Sequence, residues 1–316
     1  MSETTRLVVL ENGGRLDVWL SKQLDVSRSS VQKWCKESRV QVDGKVVKPS
    51  TKLVEGQLVS VSIPPPPPTM IIPQKMDLDI QYIDEHVIVV NKPVGLVVHP
   101  GKGNWDGTLA NGIVHLIEQD TGEALRPGIV HRIDKGTSGL LVVARTERAL
   151  ACLAEQFFAH SAERKYLALA WGAVEKGRID APLGRHPVDR IRFTVREDGK
   201  RSVTNFMGLA SGIPAKSGSG GLLSLVECQL ETGRTHQIRV HMQHIGHPLV
   251  GDPLYGRKQS TAAWRESLAR LEHQQLHAWT LGFELPTGKR LSFSVPPPRL
   301  FMDTAEFAGI DVRTFL

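Results

Sequence analysis

Apolar and polar positions change period along this chain, and the changes mark its elements. In RSSVQKWCKES (28–38), Val31, Trp34 and Cys35 recur at helical spacing while Arg28, Gln32, Lys33 and Lys36 take the other face. Ser27 stands before this run as an N-cap. The period then drops to two. VQVDGKVV (40–47) reads as two short strands joined by Asp43-Gly44, a pair suited to a two-residue hairpin turn, and EGQLVSVSI (55–63) ends in strand alternation.

After residue 76 strands dominate. DIQYIDEHVIVVNKP (79–93), LLVVAR (140–145) and KYLALAWGAV (165–174) read as strands. Thr146 is placed to cap a helix over ERALACLAEQFFAHS, with Leu150, Leu153 and Phe157 on one face. Residues 185–206 form a basic, hairpin-like stretch. A strand ends at Leu230, and Thr235 is placed to cap a helix that Gly246 stops after Ile245, with Ile238, Met242 and Ile245 as its buried side. AKSGSGG (215–221) reads as a surface loop without the glycine spacing of a phosphate cradle. Strands that follow one another with few helices between them predict an α+β fold with a mixed, mostly antiparallel sheet.

Pro64–Pro68 interrupt this pattern. Five prolines in a row offer no N–H and a fixed φ, so the segment is expected to be an extended, semi-rigid spacer. The expected organisation is a small domain over 14–63, a proline-rich linker over 64–76 and a main domain over 77–316.

Composition narrows the class of protein. Among 316 residues, 39 Lys and Arg against 33 Asp and Glu give a net charge of +6, and residues 1–63 hold ten basic and seven acidic side chains, or +3. A basic balance favours a polyanionic partner. Cys35, Cys152 and Cys228 are widely spaced with no C-x-x-C pair, which argues against a disulfide framework or a thiolate metal site and suits a reducing compartment. No apolar run approaches a membrane span and the N-terminus lacks a signal-peptide core, so a soluble cytoplasmic protein is expected, without a membrane partner.

Three stretches can carry chemistry. In GIVHRIDKGTSGLLVVART (128–146), Asp134 lies between Arg132 and Lys135, and flanking cations favour an ionised carboxylate. Such a group can act as nucleophile, base or electrostatic stabiliser. Equally, Asp134, Thr137 and Ser138 can be turn residues bonding to their own backbone. In LETGRTHQIRVHMQHIGHPLVGDPLYG (230–256), Arg234 and Arg239 suit carboxylates or phosphates. His236, His241, His244 and His247 invite a metal reading, but only His241 and His244 have helix-compatible ligand spacing, so no metal is expected. In NKPVGLVVHPGKGNWDG (91–107), Lys92, His99 and Lys102 sit among glycines and prolines as candidate polar tips. These residues alone leave turn and active site both open for Asp134.

A resemblance adds specificity. RLDVWLSKQLDVSRSSVQKWCKESRVQVDGKVVKPSTKLVEGQLVSV resembles the small RNA-binding domain named after ribosomal protein S-four. HRIDKGTSGLLVVA resembles the signature H-R-L-D-x-x-T-S-G-L of the RluA-type pseudouridine synthases. NKPVGLVVHP, ETGRTHQIRVHMQHIGHPLVGD and LHAWTLGFELP are similar to that family's opening, late and closing motifs, in family order. HPGKGNWDG, RHPVDR and GDPLYG look most like the RluD type, which modifies large-subunit (23S) ribosomal RNA. Gly136 replaces a frequently acidic residue, and Leu285-Pro286 replaces the usual His-Pro.

The resemblance implies isomerisation of uridine to pseudouridine without cofactor or metal, in the helix 69 stem-loop of free ribosomal RNA or a pre-50S particle, by a monomer. It implies Asp134 as nucleophile, Arg239 as its ion-pair partner and Tyr166 against the target base, with Ile238 and Leu140 as apolar walls. Arg28, Lys33 and Lys36 of the small domain, and Arg132, Lys92, His99, Lys102, Arg185, Arg190, Arg192 and Arg234 of the large one, are the expected RNA contacts. Other 23S sites, transfer RNA, or a non-catalytic role in ribosome assembly are the alternative readings.

Overall fold

The computed structural model describes residues 3–12, 14–63, 71–101, 103–121, 127–213, 221–256 and 271–316. The chain divides into two compact units, Met1–Thr69 and Met70–Leu316.

The first unit holds β1 (Glu3–Val8), β2 (Gly14–Arg15), α1 (Leu16–Gln23), α2 (Arg28–Lys36), β3 (Val40–Val42), β4 (Lys45–Val46), β5 (Lys52–Leu53) and β6 (Leu58–Ile63). The Ser27 side chain caps α2 by accepting from the Ser30 N–H. Val31, Trp34 and Cys35 of α2 are buried with Leu16, Leu20, Val40 and Val59. Asp43 and Gly44 both take positive φ, 50° and 76°, so the two-residue turn twists in the sense that antiparallel strands need. Lys33 and Lys36 are exposed, Lys33 beside Glu37 at 3.5 Å. Arg28 is half exposed but donates one nitrogen to the buried carboxylate of Asp17, which also accepts from Arg15 and Gln32.

The second unit is built on a ten-stranded sheet. Its strands are β7 (Asp79–Ile83), β8 (Val87–Lys92), β9 (Gly128–Ile129), β10 (Ser138–Ala144), β11 (Glu163–Trp171), β12 (Lys176–Asp180), β15 (Val203–Gly212), β16 (Leu223–Leu230), β17 (Leu276–Glu284) and β18 (Arg290–Ser294). They run in the order β12-β15-β16-β11-β17-β10-β8-β7, with β18 on β17 and β9 on β10. Every pairing in this sheet is antiparallel except β10 with β17. A separate hairpin, β13 (Leu183–Arg185) with β14 (Phe193–Val195), spans the basic stretch. The helices are α3 (Leu109–Thr121), α4 (Glu147–Phe158), α5 (Gln237–His244) and α6 (Arg299–Phe307).

Both faces of the central sheet are covered, and this explains the unbroken apolar runs of β8 and β10. Successive side chains alternate between faces. Val87, Val89, Leu140 and Val142 therefore pack with Leu153 and Phe157 of α4, while Ile88, Val90, Leu141 and Val143 pack with Ile113 of α3 and Met242 of α5. Thr146 caps α4 as expected, accepting from the Ala149 N–H.

Two expectations change. The helix over 237–244 is not capped by Thr235: its N-cap is His236, in a left-handed conformation with φ 59°, and no side-chain cap bond forms. Residues 72–76 of the expected linker belong to the second unit, where the Asn111 side chain donates to the Ile72 carbonyl and Met76 lies against Gly112. Pro64–Pro68 and most of the 215–221 loop lie outside the described residues.

Candidate active site

Asp134 belongs to a tight turn entering β10, in which the Thr137 N–H donates to the Asp134 carbonyl at 3.0 Å. The next residues are committed to packing rather than to the turn. Ser138 Oγ lies 2.9 Å from His277 Nδ1, and Thr137 Oγ1 accepts from the Gln274 amide. The Asp134 side chain is left to point into a cleft of ≈ 570 Å³.

Arg239, on α5, brings its Nη1 to 3.0 Å from Asp134 Oδ2. Its other two nitrogens reach Asp252 at 2.8 and 2.9 Å. Burial works against the guanidinium charge, but Asp252 and then Asp134 outweigh it and hold Arg239 above its ordinary pKa. The Asp252 carboxylate is fully buried and also accepts from the Leu254 and Tyr255 N–H groups, which fixes the loop after α5.

Tyr166 reaches the same cleft from β11. The pairing of β11 with β17 shifts register between Lys165 and Tyr166, an irregularity of the kind that re-aims a side chain beside a functional site. Tyr166 is buried, and burial above all holds its phenol in the protonated form. Ile238 is a wall of the cleft, whereas Leu140 is not; it packs with α4 on the other face of the sheet.

His236, weighed above only as a metal ligand, sits with Nε2 3.9 Å from Asp134 Oδ2. Its Nδ1 lies 2.8 Å from the Tyr255 hydroxyl, which already accepts the Phe193 N–H. A buried hydroxyl that accepts there is best satisfied by donating to Nδ1, so Nε2 carries the proton that faces Asp134. Burial keeps the ring neutral by lowering its pKa. The remaining histidines of this stretch serve other ends. His241 spans Thr204 Oγ1 and the Ala181 carbonyl, His247 contacts the Trp171 carbonyl, and His244 is exposed. Among the described residues no group of three or more His, Cys, Asp or Glu is placed to hold a metal ion.

The expected RNA contacts divide. Arg132 and Arg234 are exposed and line the cleft. His99, Arg185 and Arg190 are exposed elsewhere on this unit, and Arg192 lies over the Tyr255 ring at 5.3 Å. Lys92 is not a surface residue. It is fully buried, its ammonium donating to the Pro93 and Leu96 carbonyls at 2.7 and 2.9 Å, and burial lowers its pKa to about 7 against the opposing charge of Asp134. It ties the loop after β8 to the site and has no N–H free for a phosphate. Lys102 lies outside the described residues.

Unforeseen were the buried Asp252 behind Arg239, legible only as part of GDPLYG, and the cleft residues Phe158, His160 and Arg164, the last of them two residues before Tyr166 in a stretch read simply as strand. No helix among the described residues is long and apolar enough to cross a membrane.

Comparison with known proteins identifies both domains. Residues 86–244 match the family model for RNA pseudouridylate synthase, and residues 14–59 match that of the S4 domain. The chain is 45% identical over 290 residues to an uncharacterized RNA pseudouridine synthase, YlyB, of Bacillus subtilis, covering 90% of each chain. It is 42% identical over 294 residues to ribosomal large subunit pseudouridine synthase D of Xanthomonas campestris, covering 90% of this chain and 86% of that one. Among solved structures, human RNA pseudouridylate synthase domain containing 1 aligns with a TM-score of 0.56 at 28% identity, over 70% of this chain and 84% of that one. Matched on both domains and more than 40% identical to named relatives over most of its length, this protein is a member of the RluA-type RNA pseudouridine synthase family that carries an S4 domain.

Proposed function

We propose that this protein converts uridines of large-subunit (23S) ribosomal RNA to pseudouridine with Asp134 as nucleophile, and that the helix 69 stem-loop, free or in a pre-50S particle, is its target. The observation that carries the reading is the Asp134–Arg239 pair at 3.0 Å on the wall of a cleft that also receives Tyr166. Relatives named for the large ribosomal subunit support the choice of RNA.

The chemistry balances within the substrate. The N1–C1′ bond of uridine breaks, the uracil turns to present C5, and a C5–C1′ bond forms. The proton lost from C5 is matched by one gained at N1, so no oxidant, reductant or cofactor enters. Asp134, kept in place by Arg239, starts the cleavage as a nucleophile. Tyr166 packs against the base, and its hydroxyl, protonated at neutral pH, relays the C5 proton rather than acting as a phenolate. The target must leave its stack to reach this cleft, at a cost of a few kcal/mol that is least in a loop. Arg132 and Arg234 line the cleft where phosphates would enter, and the S4 domain with Arg28, Lys33 and Lys36 supplies further RNA contact.

Pseudouridine mapping of ribosomal RNA from cells lacking the gene, rescued with wild type or with Asp134→Asn, tests this. The wild type should restore the lost pseudouridines and Asp134→Asn should not. Restoration by both would remove Asp134 from the chemistry, and a map unchanged by loss of the gene would remove the ribosomal target.

A further inference from the structure

The last two residues of α4 face opposite fates. Phe157 is buried, its ring stacked on His131 with centroids 4.3 Å apart and with the Arg164 guanidinium 5.4 Å above it. Phe158, the next residue, is 86% exposed and yet lines the same cleft as Asp134. A bare aromatic face on the lining of this cleft offers a platform on which a base can stack.

Its surroundings identify the kind of partner. The cleft is lined by four arginines, Arg132, Arg164, Arg234 and Arg239, against one carboxylate, Asp134. Arg239 is spent on Asp134 and Asp252, so Arg132, Arg164 and Arg234 line the cleft with no second carboxylate among its lining residues to pair them. Arg164 is only 7% exposed, and its Nε is a buried donor with no hydrogen-bond partner among the described residues, while its Nη2 reaches the Leu230 carbonyl at 3.4 Å. A buried cationic donor left unmatched is costly unless something else completes it. His160 takes φ 59°, turning the chain from α4 back towards β11 and Arg164. His160 also lines the cleft, where partial desolvation and then the charges of Arg164, Arg234 and Arg201 lower its pKa. This is an anion site next to a bare aromatic face, the combination that unpaired nucleic acid satisfies.

We propose that the mouth of the cleft is a second nucleotide subsite, in which the base adjoining the target uridine stacks on Phe158 and its phosphate lies against Arg164, Arg234 and His160. The inference rests on the RNA-modifying reading above and adds to it. Once the uridine leaves the stack, its neighbour loses one stacking face, and Phe158 offers a replacement. Excess positive charge excludes an acid-poor apolar peptide as the better occupant.

The test uses the full chain and a synthetic helix 69 stem-loop, with a companion series carrying an abasic nucleotide on either side of the converted uridine. Phe158 is exposed, so Phe158→Ala should fold normally. It should weaken binding of the intact RNA about tenfold, Phe158→Trp should bind as the wild type, and the loss should vanish on one of the two abasic RNAs. Arg234→Gln should flatten the log–log salt dependence of binding by up to about one, whereas Arg164→Lys, which keeps the charge but loses the planar fork, should weaken binding with the slope unchanged. Unchanged binding and conversion by Phe158→Ala, or an equal loss on every abasic RNA, would overturn the subsite and point to a protein partner for the ring. The wild type is assayed first on whole 23S ribosomal RNA. If it converted no uridine there, the functional reading and the subsite would fall together, whereas binding and conversion both left untouched by Phe158→Ala would remove the subsite alone.

Discussion

Arg239 and Asp252 form a buried two-point ion pair, at 2.8 and 2.9 Å, that leaves one guanidinium nitrogen free to hold Asp134 at 3.0 Å. A guanidinium is planar, so fixing two of its nitrogens fixes the direction of the third. Asp252 thereby aims the arginine, and the arginine aims the Asp134 carboxylate. Tyr255 reinforces the arrangement, with Arg239 5.0 Å above its ring and its hydroxyl 2.8 Å from His236.

Asp252→Asn should therefore act at a distance on the chemistry. The amide offers one acceptor where two are used, and it turns N–H groups towards a cation. Disrupting a buried pair from one side costs up to about 3–5 kcal/mol of stability. The reaction should also slow within the folded fraction, because a misaimed group of about 1 Å can cost on the order of 100-fold in rate. Single-turnover conversion of the stem-loop should fall by about that factor while RNA affinity changes less than about threefold. A near-normal single-turnover rate in a folded variant would show that Asp134 needs only Arg239, however it is held.

Tyr166→Phe separates ring from hydroxyl. The ring keeps its packing, so RNA affinity should hold, but loss of proton relay should slow the chemical step by about 10²–10⁴-fold. Because burial raises the Tyr166 pKa above its ordinary value of 10.0, the phenol stays protonated through neutral and moderately alkaline pH. The wild-type rate should then show no limb from this group between about pH 7 and 9.5. If Tyr166→Phe turned over like the wild type, only the ring would matter.

Much of this was legible in the sequence, and the exceptions have physical causes. Local rules sufficed for the Ser27 and Thr146 caps and the Asp43-Gly44 turn, since each depends on residues within one turn of chain. Alternating burial in β8 and β10 was hidden because both faces are apolar, which erases the period of two. Asp252 lies 13 residues beyond Arg239 across a loop, and nothing in local spacing pairs them. Lys92 looked like a surface cation because charge usually stays outside, and only the fold shows the carbonyls that receive its ammonium. The Thr235 cap failed because His236 takes the left-handed N-cap position itself, held by Tyr255 from 19 residues away.

Acid should weaken the second unit through two neutral histidines. His131 Nε2 accepts from the Val142 N–H, and His277 lies between Ser138 Oγ and the Val295 carbonyl. Burial lowers their pKa values to about 3 and about 4, from 6.5. Both folded values lie below the unfolded one, so as pH falls the unfolded chain takes up protons first. Their contribution is whole above about pH 7 and is lost as pH falls from 6.5 towards 4 and 3, by roughly 3–5 kcal/mol each over the full range. At pH 5.0 each should have cost about 2 kcal/mol relative to pH 7.5, read as a shift in urea midpoint. His277→Asn and His131→Gln should be less stable at pH 7.5 and show shallower losses between the two pH values. An unchanged slope in both variants would place the acid sensitivity elsewhere.

Gly139→Ala should be among the most damaging single-methyl changes in this chain. Gly139 sits at φ 113° on β10, where the only parallel pairing of the ten-stranded sheet brings it opposite Ala278. A Cβ there would lie 2.2 Å from the Ala278 carbonyl oxygen and 2.6 Å from its nitrogen, and both atoms are backbone that cannot swing aside. Strain at such a φ costs about 1–3 kcal/mol before any clash, and separating β10 from β17 would also disturb the pairing of Tyr166 with Ala278. Gly246→Ala is the control, since its φ of 87° is similar but nothing lies within 4 Å of the added carbon. That variant should lose about 1–2 kcal/mol, or a few degrees of melting temperature. Gly139→Ala should melt at least about 10 °C lower or fail to accumulate as folded protein. Because Asp134 enters β10 five residues earlier, any folded fraction should also convert uridine poorly. Equal melting temperatures for the two variants would mean that β10 and β17 can part at Gly139 without loss, and that the strand following Asp134 is not anchored there.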